Sequence, residues 1–237
     1  MSGPILWLRS LAFNAGWYAG TVVIALLGSP ILLLPRRVVV AWSHVWIRFV
    51  LGWLKLTCGL DHRITGLENI PRGPVLIASK HQSSWETLAF GLLFDDAAIV
   101  LKRELLFIPI VGWAMARAGN IAVARGDGAS ALRGLVRQAK DCAAQGRAVL
   151  IFPEGTRVAP GHTKPYQVGV AALYRQLGVP VVPVALNSGR FWGRRKWIKR
   201  PGTIQVQVLP PIAPGLRREA FMETLRERIE TATTKLG

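Results

Sequence analysis

A chain of 237 residues can bury a full core, and it suits one α/β domain with a small appendage better than two domains. Thirty Lys and Arg against thirteen Asp and Glu give a formal charge of +17, 51% of the residues are hydrophobic, and nine are tryptophan. Such a charge suits nucleic acid, an anionic membrane or an acidic protein, but tryptophan with scattered arginine is membrane-interface composition, and neither an RNA-binding aromatic signature nor zinc-finger spacing is present. Cys58 and Cys142 lie far apart with no Cys-x-x-Cys pair, as expected in a reduced cytosolic setting without disulfides or a thiolate metal site.

Residues 11–35 carry no charge, a run long enough to cross a bilayer as one helix. Gly28-Ser29-Pro30 interrupts it, and arginine flanks both ends (Arg9, then Arg36-Arg37), so a re-entrant hairpin is expected rather than a cleaved signal peptide. Over residues 38–56, a turn of about 100° per residue puts Arg37, His44, Arg48 and Lys55 on one face and Trp42, Trp46, Phe49 and Trp53 opposite. That predicts an amphipathic helix with an aromatic keel on the membrane surface; packing of the stripe on the domain core is the alternative. Residues 1–58 are thus expected to form a membrane-associated helical hairpin, and residues 59–237 the main domain.

Within the main domain, β-type runs fall at residues 62–65, 75–79, 97–101, 121–124, 148–152, 181–186 and 203–209, and helical ones at 85–93, 110–118, 129–145, 169–177 and 216–233. The class is α/β: a mixed, roughly seven-stranded sheet flanked by helices, with the two-helix anchor ahead of it. No internal repeat is present.

Three stretches carry chemistry. After the apolar run ending at Ser79, His81 precedes Glu86 by five residues, a spacing at which a carboxylate can fix one imidazole nitrogen while the other takes a proton from a hydroxyl. A satisfied histidine at a capped helix start is the plainer account of that pair alone, and Ser83 or Ser84 suits the cap. Phe152-Pro153-Glu154-Gly155-Thr156-Arg157 follows a buried strand: Pro and Gly bend the chain, Gly admits a ligand, and Arg157 can grip an anion with two N–H groups. Lys102-Arg103 closes one strand and Arg125 the next, so both ends can face a phosphate with Arg157; solvated charges are the alternative, more so for Arg103. His44, His62 and His162 are isolated from acids at ligand spacing, and no metal site is expected.

Together these stretches resemble the glycerolipid acyltransferases, the family of 1-acylglycerol-3-phosphate acyltransferase. Its four blocks (His-x4-Asp, a basic strand end leading through Pro and Gly-Trp to Arg, Phe-Pro-Glu-Gly-Thr-Arg, and a Val-Pro-Val strand) are matched in order by residues 81–86, 102–125, 152–157 and 179–184. The resemblance implies an O-acyltransferase moving a fatty acyl group from an acyl thioester to the 2-hydroxyl of lysophosphatidic acid, giving phosphatidic acid. It implies His81 as general base and Glu86 as its orienting acid, with Lys102, Arg125 and Arg157 on the phosphate and Glu154, Gly155 and Thr156 shaping the substrate site. No cofactor is implied beyond the donor, acyl-CoA or acyl carrier protein. Expected partners are anionic membrane lipids and lysophosphatidic acid, not nucleic acid, at the cytoplasmic face of the inner or cell membrane.

The pattern departs from the family at three points. Glu86 is one methylene longer than the usual Asp, Lys80 stands where Asn is common, and Gln167-Val168-Gly169 lacks a basic residue before the glycine. Another lysolipid acceptor, such as an amino-acid lysolipid, or a non-catalytic lipid-binding homologue in which Glu86 fails to engage His81, therefore stands as the alternative. The basic, aromatic run over residues 190–200 is expected to face the membrane or a carrier protein.

Overall fold

The structure, a computed structural model, describes residues 3–94, 96–124 and 128–237. Its strands are β1 (Leu60–Thr65), β2 (Leu76–Ser79), β3 (Ala98–Lys102), β4 (Ile121–Val123), β5 (Val149–Ile151), β6 (Val181–Leu186) and β7 (Gly202–Val208). They form one sheet in the order β1-β7-β6-β2-β5-β3-β4. Only the β6–β7 pair is antiparallel, so the sheet is mixed, as expected. The continuously apolar strands β6, β2 and β5 sit at its centre and are buried at every position, while β7 alternates. A parallel sheet buried on both faces needs such uninterrupted apolar runs.

Pleating sends Ile77, Leu150, Val182 and Val184 to one face, beneath helices α2 (Arg36–Cys58) and α3 (Trp85–Leu93). Leu76, Ala78, Val149 and Ile151 face the other way, toward α5 (Gly128–Ala144), α6 (Val168–Leu177) and α7 (Arg218–Lys235). Pro183 is unusual in a central strand, because it donates no ladder bond. It is tolerated at a bulge: Val184 pairs with Val208 but Val181 with Ile212, one residue out of register, and the Pro183 carbonyl still accepts from Leu209 N at 2.9 Å.

The first helix, α1 (Gly3–Gly28), ends at the expected Gly-Ser-Pro break, passes through a short helical turn (Ser29–Leu33) and doubles back into α2. Both helices are long and apolar enough to cross a membrane. The hairpin does not project from the domain, however. Ile47, Val50, Leu54 and Cys58 of α2 enter the core above the sheet. At the turn, Arg36 grips Asp96 (2.7 Å) and Arg117, at the end of α4 (Val111–Arg117), donates to the Leu34 carbonyl (2.7 Å).

The aromatic keel corrects the sequence reading. Trp42, Phe49 and Trp53 face α1 rather than a membrane, lying so close over Gly28, Gly20 and Gly16 that a Cβ there would come within 1.9, 2.2 and 2.1 Å of ring atoms. Three indole N–H groups donate into α1: Trp42 to the Ile24 carbonyl (3.2 Å), Trp46 to Thr21 Oγ1 (3.0 Å) and Trp53 to the Ala12 carbonyl (3.1 Å). Small residues admit large rings at close helix approach, and this seam holds the hairpin together. The outward face of α1, with Leu8, Tyr18, Val22, Val23, Leu26 and Leu27, is left exposed.

The basic run is divided. Trp192 and Lys199 are buried under α1, where Lys199 Nζ donates to Asn14 Oδ1 (2.8 Å) and lies 5.3 Å from the centre of the Phe13 ring and 5.2 Å from that of Trp192. Burial pushes the Lys199 ammonium down to about 8. Arg190, Arg194, Arg195, Lys196 and Arg200 remain exposed.

Candidate active site

The parallel strands β2, β5, β3 and β4 deliver their following loops to one edge of the sheet, where open α/β sheets place their sites. His81 follows β2, residues 152–157 follow β5, and Lys102 ends β3. Two local pairs far apart in the chain are thereby drawn together: His81 with Glu86, and Glu154 with Arg157.

The start of α3 solves the problem of the extra methylene. Glu86 is wholly buried, and its Oε1 accepts from the backbone N–H of Gln82 and Ser83, each at 2.6 Å. The same oxygen lies 2.9 Å from His81 Nδ1, and Oε2 accepts from Ser188 Oγ at 2.7 Å. The longer side chain reaches back over its own first turn, as an acid near a helix N-terminus can. An anionic acceptor at Nδ1 places the ring proton there and leaves Nε2 as the basic nitrogen. His81 stacks on Phe152, ring centres 4.1 Å apart and planes at 21°, and its carbonyl accepts from Val158 N at 2.8 Å. Imidazole plane and tautomer are both set before any substrate arrives.

Glu154 turns inward, not into the open cleft. Its Oε2 accepts the His81 backbone N–H (2.8 Å) and its Oε1 lies 2.6 Å from Lys80 Nζ. Burial pushes its carboxyl up to about 7, against the pull of Lys80. Gly155 takes a left-handed φ of 64°, closing a turn in which its N–H donates to the Phe152 carbonyl at 2.9 Å. Thr156 is half-buried beside it.

Arg157 bends over the start of α3 and donates to Ser84 Oγ at 2.7 Å, which keeps a guanidinium beside His81. Burial lowers its pKa, the Glu86 charge opposes this, and Arg194 and Arg195 add to the lowering, so two arginines of the basic run stand within electrostatic reach of it. Ser84 holds the N-cap position but its hydroxyl serves Arg157 rather than the helix, and Ser83 Oγ, one residue earlier, accepts from Trp85 N (3.1 Å).

Lys102 and Arg125 are less joined to this group. The pairing of Ile99 with Leu150 and of Ala78 with Ile151 sets Lys102 level with Lys80, two strands or roughly 10 Å away. It is exposed, and its side chain makes no hydrogen bond or ion pair among the described residues. Arg125 lies outside the described residues.

Sequence reasoning missed Ser188, Gln82 and Glu230. Ser188 completes the shell of Glu86, and Gln82 Oε1 accepts from Gly189 N (3.0 Å), tying the His81 loop to the segment after β6. No local pattern marks them, since the partners are more than a hundred residues apart.

Residues 61–187 match a family model described as Acyltransferase. A 1-acyl-sn-glycerol-3-phosphate acyltransferase of Pseudomonas aeruginosa is 42% identical over 186 residues, spanning 78% of this chain and 72% of the relative. The alpha form of Homo sapiens is 30% identical over 220 residues, spanning 88% and 76%. The crystal structure of a 1-acyl-sn-glycerophosphate acyltransferase from Thermotoga maritima, 22% identical, shares the fold with a TM-score of 0.78 over 97% of this chain and 95% of its own. With a family model covering residues 61–187 and these likenesses along most of its length, the chain belongs to the acyltransferase family.

Proposed function

We propose that this membrane-associated acyltransferase moves a fatty acyl group from an acyl thioester, carried by coenzyme A or acyl carrier protein, to the 2-hydroxyl of lysophosphatidic acid. The observation that carries the proposal is the Glu86–His81 pair at 2.9 Å, with Nε2 left to act and the Arg157 guanidinium anchored on Ser84 at the start of α3, the helix that carries Glu86. Nε2 takes the hydroxyl proton as that oxygen attacks the thioester carbonyl. The tetrahedral oxyanion collapses, the carbon–sulfur bond breaks, and the imidazolium returns its proton to the departing thiolate. Glu86 stabilises the imidazolium between these steps and stays ionised. No acyl-enzyme is formed, so no serine or cysteine nucleophile is required. Arg157, with Lys102 at the end of β3, is suited to the phosphate of the acceptor, and the relatives named for 1-acyl-sn-glycerol-3-phosphate support that acceptor.

The hairpin supports residence on one leaflet, and we infer that this is the cytoplasmic face. A helix packed on the domain from Val39 to Cys58 cannot cross a bilayer without drawing the domain in, whereas the exposed apolar face of α1 can lie in it. Phe107, 69% exposed, and Leu33, 87% exposed, extend the apolar surface near the hairpin turn, and the exposed arginines suit anionic headgroups.

The test is an initial-rate assay of purified full-length chain in detergent with labelled acyl donor and a panel of lysolipids. Lysophosphatidic acid should be the preferred acceptor, and His81→Ala should lose roughly 10²- to 10⁴-fold in kcat. A variant with full activity would remove His81 as the base; preference for another lysolipid would replace the acceptor and leave the reaction.

A further inference from the structure

Pleating gives the consecutive residues Lys80 and His81 to opposite faces of the sheet, each facing a glutamate from a different helix. His81 meets Glu86 of α3 at 2.9 Å. Lys80, 1% exposed, meets Glu230 of α7, its Nζ 2.9 and 2.8 Å from the two carboxylate oxygens. Glu154 joins the two sides, with one oxygen 2.6 Å from Lys80 Nζ and the other accepting the His81 backbone N–H at 2.8 Å. Tyr166 closes the chain by donating to Glu230 Oε1 at 3.0 Å.

We propose that Lys80 and Glu230 are positioning residues for the acyl transfer: the bridge from α7 through Lys80 to Glu154 holds the backbone of His81 and so aims its Nε2. The proposal rests on His81 being the base. A buried ammonium is costly unless fully paired, and Lys80 meets that condition with Glu154, Glu230 and, at 3.5 Å, the His162 carbonyl. The bridge spans the final helix and the reactive loop, 150 residues apart in the chain. Misplacement of the imidazole by about 1 Å costs on the order of a hundredfold in rate.

The charged and titratable groups around Glu154 are Lys80 from the end of β2, Glu230 from α7, Tyr166 ahead of α6, and Arg226 on the flank of Tyr166; the Lys80 charge lowers the Glu154 pKa and that of Glu230 raises it. The experiment compares Glu230→Gln and Lys80→Met with the unaltered full chain in detergent. Glu230→Gln should lose about tenfold or more in kcat while KM for donor and acceptor stays within about twofold. The acid limb of its kcat profile should move to lower pH, and that of Lys80→Met to higher pH, a pair of opposite shifts that simple loosening of the fold does not produce. Unaltered kcat and pH profile in Glu230→Gln, or shifts in the same direction, would overturn the proposal. Should Lys80→Met not fold, Glu230→Gln decides alone, since that side chain is 17% exposed and the amide keeps its shape. Full activity in His81→Ala would instead remove the reading beneath it.

Discussion

Replacing Glu86 by glutamine changes one atom and the charge, and the surroundings of that carboxylate allow its effect to be worked out. The amide oxygen can keep the place of Oε1, accepting from Gln82 N, Ser83 N and His81 Nδ1. The new NH2 then faces Ser188 Oγ, 2.7 Å away, whose hydroxyl can turn to accept. Every buried group keeps a partner, so the fold should survive with a loss of stability under about 1.5 kcal/mol. What disappears is the negative charge opposite a ring that becomes positive during the reaction. A hydrogen bond to a charged group is worth about 1.5–3 kcal/mol, which corresponds to a fall of roughly ten- to a hundredfold in kcat. The assay is initial rates at saturating donor and acceptor, beside thermal unfolding followed by circular dichroism. Wild-type kcat in a folded Glu86→Gln would refute the orienting role, and a loss tracking unfolding would assign Glu86 to the fold.

Other outcomes are as specific. Ser188→Ala leaves Glu86 Oε2 without its donor and should cost about 1–3 kcal/mol, read as a fall of roughly 2–10 °C in Tm, with kcat reduced in parallel. Gly112→Ala would set a Cβ 2.5 Å from the carbonyl oxygens of both Leu105 and Leu106, so it should destabilise markedly, whereas Gly134→Ala, where nothing lies within 4 Å, should be neutral or stabilising by calorimetry. Lys199, lowered to about 8 from 10.5, binds fewer protons folded than unfolded between those values, so its penalty is present below pH 8 and lifts as pH rises toward 10.5. Tm of the unaltered chain should therefore rise through that window relative to Lys199→Met; parallel profiles would contradict the burial argument.

The sheet was readable because its strands obey local rules: 181–186 and 149–151 are uninterrupted apolar runs, and β7 alternates as a half-wet strand must. Pro183 is not explained by its own segment, since the bulge that accommodates it is made by the register of Ile212. The His81–Glu86 pair lies within five residues and was visible; the Lys80–Glu230 pair depends on how α7 docks and was not. The aromatic keel was placed on the right face and given the wrong partner. Gly16, Gly20 and Gly28 on α1 share a face at multiples of four residues, and that spacing is the signal from which the partner could have been found.

The seam between α1 and α2 has one more effect. With Trp42, Trp46 and Trp53 spent on α1 and Trp85 and Trp192 in the core, only Trp7, Trp113 and Trp197 are strongly exposed, at 48, 52 and 46%. They sit on α1, on α4 and in the basic run, three separate elements, and indoles settle at headgroup depth. Any contact with lipid should therefore be reported by these three indoles, as a blue shift in fluorescence on adding anionic vesicles that replacing each by phenylalanine diminishes.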